Sequence, residues 1–174
     1  MFVRHLAVVA IMLGVSACST VKTKELSAGE AARLKQKSLV YATSSKLPDF
    51  SAQTAANVQF GMLGLAAAIS SGNAMIRNNG VEDPAISIAK KLSEVLEVKH
   101  GVKLATDAGK IAASNKVPDL VSAHANVDYV LHVRTLGWGS IYYLSDWNNY
   151  RVMYSAHARL IDTAGKTVIA EEVC

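Results

Sequence analysis

Two histidines and two arginines at matched spacing are the residues best placed to do chemistry. His132 and Arg134 alternate with apolar residues along one run, and His157 and Arg159 along another. If the two runs pair as a hairpin, the imidazoles could face each other and bind a metal, or all four groups could hold an anion. Only two ligands are evident, so the sequence favours a solvent-facing polar side of a sheet and no metal site. Gly165-Lys166-Thr167 has the ending of a phosphate-binding loop, but Leu160 stands where that motif needs its first glycine. The segment also joins two strands instead of opening a helix. No spacing pairs a nucleophile with a base or sets two carboxylates together, so neither catalytic residues nor a cofactor are expected, and the chain reads as a non-enzyme.

Aromatic residues are concentrated. Seven of the eleven fall between Tyr129 and Tyr154, and both tryptophans lie in Trp138–Tyr150 (WGSIYYLSDWNNY). This stretch reads as a long hairpin connection, and connections of that length tend to be functional or packed on themselves. Trp138, Tyr142, Tyr143, Trp147 and Tyr150 are the expected contact residues, since such rings give rigid, amphipathic contact area. A self-packed cap, a protein contact and a small-ligand or glycan site all fit them.

The elements that would position these residues can be read from hydrophobic period. Ser38–Thr43 is rich in β-formers. Residues 54–70 suggest one helix whose apolar stripe is Val58, Met62, Leu65 and Ile69, with Gly61, Gly64 and Ala68 allowing close approach. Asp83, Pro84 and Gly101 punctuate a further helix as cap, first residue and stop. From Asn126 the period becomes two, giving strands through Tyr129–Leu136 and Tyr150–Leu160, then a turn at 162–166 and a third strand over Thr167–Val173. One apolar and one mixed face per strand suits antiparallel pairing covered on one side. The expected class is α+β, a single domain with a mainly antiparallel sheet and helices on one face.

Composition agrees with one ordered domain: 174 residues, 51% hydrophobic and 18% charged, with 3 prolines and 11 glycines. The first fifteen residues (MFVRHLAVVAIMLGV) have a basic start and an apolar run suited to a signal peptide and too short for a bilayer span. Val15-Ser16-Ala17-Cys18 follows, and resembles the lipobox of bacterial lipoproteins. The resemblance implies removal of residues 1–17 and lipidation of Cys18, whose acyl chains would anchor the protein stably. Ser19 lacks the inner-membrane-retaining aspartate of that family, which implies the outer membrane, facing the periplasm. With Cys18 blocked, Cys174 has no partner in the chain; it is expected either to pair between molecules or to await a segment beyond the given sequence.

Residues 18–37 read as a basic tether carrying five basic and two acidic side chains; 38–174 hold twelve of each and form the domain. The alkaline pI thus comes from the tether, which could rest on anionic headgroups, and nucleic-acid binding is not expected. Within the domain, Val127-Asp128-Tyr129-Val130-Leu131 and Ala158-Arg159-Leu160-Ile161-Asp162-Thr163-Ala164-Gly165-Lys166 resemble strands of periplasmic lipoproteins with a CsgG-like or TolB N-terminal-like α/β domain. That resemblance implies a binding or scaffolding part in envelope assembly, secretion or transport. The expected function is therefore a membrane-anchored, non-catalytic component that binds another envelope protein or itself. A carrier or sensor of a small molecule, lipid or cell-wall glycan is the second expectation.

Overall fold

The computed structural model of the chain describes residues 23–174, so Cys18 and the signal segment lie outside the described residues. In chain order the elements are α1 (Ala28–Arg33), β1 (Ser38–Ser44), β2 (Phe50–Gln53), α2 (Ala55–Val58), α3 (Gly61–Asn78), α4 (Pro84–His100), β3 (Lys103–Leu104), β4 (Lys110–Ala112), α5 (Val117–Ala123), β5 (Tyr129–Tyr143), β6 (Asp146–Asp162) and β7 (Thr167–Val173). Among the described residues, no helix is long and apolar enough to cross a membrane.

The α+β, single-domain expectation is met, but the sheet is mixed. Its main order is β3-β1-β5-β6-β7, with β4 also on β1 and β2 also on β5. Four of the six strand pairings are parallel: β1 with β3, β4 and β5, and β2 with β5. Only β5–β6 and β6–β7 are antiparallel, so "mainly antiparallel" holds for the C-terminal half alone. The cause is connectivity: β1 and β2 reach β5 only through crossover segments, which impose parallel pairing. Sequence alternation is informative just where hairpins join neighbours.

Both faces of the sheet are covered, not one. On one face Leu39, Tyr129, Leu131, Val133, Leu160 and Ile169 pack against Ala85 and Ala89 of α4. On the other, Val40, Ala42, Val130 and Ile161 pack against Leu120 and Val121 of α5. β1 is buried on both sides, which explains its short, nearly continuous apolar run.

The tether is corrected from Lys24 onward. Lys24 and Glu171 exchange backbone hydrogen bonds of 2.8 and 2.9 Å beside β7. Ser27 caps α1, accepting from the Glu30 amide at 3.2 Å. Leu34 is completely buried within the α4-side core. The basic side chains point outward around it, and Lys37 pairs with Asp128 at 3.1 Å. Charge counts alone hide a single apolar anchor of this kind.

The helix expected over 54–70 is two helices. Thr54 and Asn57 form a reciprocal capping box on α2, and the chain breaks at Gln59–Phe60 before α3. The expected stripe is inverted as well: Val58, Met62 and Leu65 are exposed, while Gly64, Ala68 and Gly72 are buried. The reason is what α3 covers. It lies on the free edge of β2, where Asn73 Oδ1 accepts from the Phe50 amide at 2.8 Å, while Asn57 Nδ2 donates to the Ala52 carbonyl at 3.1 Å. A Cβ on Gly72 would collide with the Phe50 carbonyl. Backbone-to-backbone approach selects small residues there, and the larger ones are left to the outside. α4 follows its signals: Asp83 caps it, Pro84 begins it, and Gly101 ends it at φ 67°.

Candidate functional site

The aromatic stretch is not a loop. β5 runs to Tyr143 and β6 begins at Asp146, so only Leu144–Ser145 turn the chain. Alternation in fact continues through Trp138, Ser140 and Tyr142, but a register shift between Thr135 and Gly137 disguises it. The result is a long ribbon, flanked by β2 as far as Ile141 and two-stranded beyond it, that carries the aromatic residues on both faces.

The five expected contact residues divide into two groups. Trp138 is built into the fold: its ring meets Phe50 edge-on at 5.3 Å, and Nε1 donates to the Pro48 carbonyl at 2.8 Å. Tyr142 and Tyr150 are directly opposed across the ribbon. Tyr143, Trp147 and Tyr150 are exposed, and Leu144, Val152 and Met153 extend the apolar surface around them. Trp147 is 61% exposed and Val152 72%. The ribbon also carries an open edge. Pairing of β6 with β7 stops at Ala156, which exchanges hydrogen bonds with Cys174. From Asp146 to Ser155, β6 has β5 alone as a strand neighbour among the described residues. Such an edge exposes unpaired backbone donors and acceptors to another chain.

The histidine–arginine constellation is real but differently arranged. Register places His132 opposite Arg159 and Arg134 opposite His157, so the imidazoles are diagonal, not facing. The sequence favours a solvent-facing side, but the face is covered: His132 is fully buried and His157 nearly so. Arg159 Nη2 donates to the Asn115 carbonyl at 2.6 Å and to His132 Nδ1 at 3.1 Å. His157 Nε2 lies 3.3 Å from Glu171 Oε2. Burial, then the Arg159 and Arg134 charges, push His132 down to about 3. Burial first, then Arg159, also lower His157, against the opposing pull of Glu171. Both imidazoles are therefore neutral at pH 7. Asn115, Lys46 and Glu171 were missed because they come from three distant parts of the chain. Only the β1–β4 and β6–β7 registers bring them near.

A third feature is an apolar groove of about 270 Å³ between α4 and the β6–β7 side, lined by Leu26, Leu92, Val95, Leu96 and Ala170.

No family model matches the chain, and no curated protein matches it. Among solved structures, the lipoprotein GNA1162 from Neisseria meningitidis is similar at 15% identity, over 79% of this chain and 80% of that one, with a TM-score of 0.31. A likeness that slight assigns neither a fold family nor a function.

Proposed function

We propose that this protein is a lipoprotein anchored through Cys18 to the outer membrane, facing the periplasm, and serves there as a non-catalytic binding or assembly component. The observation that supports it is the exposed end of the β5–β6 ribbon, where Tyr143, Leu144, Trp147, Tyr150 and Val152 adjoin an open strand edge. Exposed aromatic side chains beside unpaired backbone suit docking of another protein, with the edge supplying register and the rings supplying area. The partner is another envelope protein or a second copy of the chain.

The test has two arms. Intact-protein mass spectrometry from the native host reads the anchor: residues 1–17 absent and acyl chains on Cys18. A retained leader or bare thiol removes the membrane assignment. Crosslinking in intact cells reads the surface, and a Trp147→Ser/Tyr150→Ser variant should lose its crosslinked species while keeping its fold. Undiminished crosslinking would exclude the ribbon as the contact.

The second reading is a carrier of a lipid or other apolar small molecule, supported by the groove beside α4. Leu96→Trp would place a reporter there. Emission unchanged across a panel of lipids and glycan fragments would rule against it.

A further inference from the structure

We propose that a phosphate group binds beside the β5–β6 face formed by His132, Arg134, His157 and Arg159, in the cavity that Lys46, Arg134 and Asn115 line. Cross-strand neighbours stand about 5 Å apart, so the paired register makes these four side chains one compact cluster. Five buried polar atoms there have no hydrogen-bond partner among the described residues: Asn115 Oδ1, His132 Nε2, Arg134 Nε, His157 Nδ1 and Arg159 Nε. Buried polar groups in folded proteins are ordinarily met, so five unmet ones on adjoining residues, two of them on the cavity-lining Arg134 and Asn115, point to a ligand.

Charge sets its sign. No carboxylate lies within ion-pair distance of Arg134 or Arg159 among the described residues, and the lone acid at the cluster, Glu171, is engaged with His157. The two half-buried guanidiniums, diagonal to each other across the pairing, repel each other unless an anion lies between them. Lys46 adds a third positive charge at the rim of a cavity of about 220 Å³, which Arg134 and Asn115 also line. That volume holds several water-sized groups.

Hydrogen-bond direction narrows the ligand. His132 Nδ1 accepts from Arg159, so its proton is on Nε2, a free donor alongside the two Arg Nε–H groups. His157 Nε2 donates to Glu171, which leaves Nδ1 as a free acceptor, and Asn115 Oδ1 is another. A carboxylate could satisfy only the donors. Hydrogen phosphate carries acceptor oxygens and one O–H, and so meets both kinds. The phosphate could be free or belong to a lipid headgroup.

The experiment is a titration of the full chain in detergent micelles at constant ionic strength, following the histidine ring resonances by NMR. Inorganic phosphate should move the His132 and His157 signals saturably, with Kd of about 1 mM or tighter, and acetate should bind about tenfold more weakly. Arg134→Gln should weaken phosphate about tenfold, and so should Lys46→Glu, whose side chain is exposed. Phosphatidic acid doped into the micelles distinguishes the sources. If it displaces inorganic phosphate, the ligand is a headgroup; if it does not, the ligand is the free ion. Absence of a saturable shift with either phosphate would overturn the proposal, as would equal binding of acetate or an affinity unchanged by Lys46→Glu.

Discussion

Arg159 and His132 face each other across the β5–β6 pairing, and the guanidinium donates to His132 Nδ1 over 3.1 Å. Burial, reinforced by that cation, holds the imidazole neutral, and this makes stability depend on pH. Folded His132 takes up its proton near 3, against 6.5 for an unperturbed histidine. Between those values the unfolded chain binds the extra proton. Stability therefore rises with pH across roughly 3 to 6.5, with a slope of at most about 1.4 kcal/mol per pH unit from this group. His157, also lowered, acts in the same sense. Urea unfolding at pH 7 and pH 5 measures the slope. His132→Asn keeps an acceptor for Arg159 but cannot titrate, and should flatten it. An unchanged slope would show that His132 is already protonated or not buried.

Gly72 lies against β2 so closely that a methyl group has no room beside the Phe50 carbonyl. Gly72→Ala should therefore destabilise by about 1–3 kcal/mol, despite alanine's better helix propensity. Gly29 in α1 has open space around it, so Gly29→Ala should be neutral or stabilise by up to about 1 kcal/mol. Thermal unfolding of the two variants, which differ in sign, separates packing from propensity.

Asp83 connects a helix start to the sheet. Its Oδ1 accepts from the Ala85 amide at 2.9 Å and from the Thr135 hydroxyl, which in turn lies 3.0 Å from Tyr154 Oη. Asp83→Ala should cost about 2–3 kcal/mol, above the typical loss of about 1 for a cap alone, because Thr135 also loses its acceptor. Asp83→Asn, which retains an oxygen, should recover most of it in chemical denaturation.

Leu34 decides whether the N-terminal basic segment belongs to the domain. Being fully buried, it should cost about 2–5 kcal/mol when changed to alanine. A loose linker residue would change stability by less than about 0.5 kcal/mol. Denaturant midpoints of Leu34→Ala and of the exposed Lys35→Ala make the comparison.

Local signals in the sequence were enough for elements whose determinants are neighbours in the chain. The cap, proline and glycine around α4 lie within its own ends, and period-two alternation marks β5, β6 and β7 as antiparallel neighbours. The aromatic concentration at 138–150 is visible too, but the register shift between Thr135 and Gly137 moves the alternation out of phase, so the stretch reads as a loop. Tertiary structure alone decided the parallel half of the sheet, because the pairing of β1 and β2 with β5 depends on crossover path and not on composition. The close approach at Gly64 and Ala68 was legible, but tertiary structure alone left Val58, Met62 and Leu65 outside, since which stripe is buried depends on how closely the neighbour approaches. And it alone placed Asn115, Lys46 and Glu171 beside the two arginines. A site gathered from five separate segments has no spacing to read, because proximity there comes from strand register.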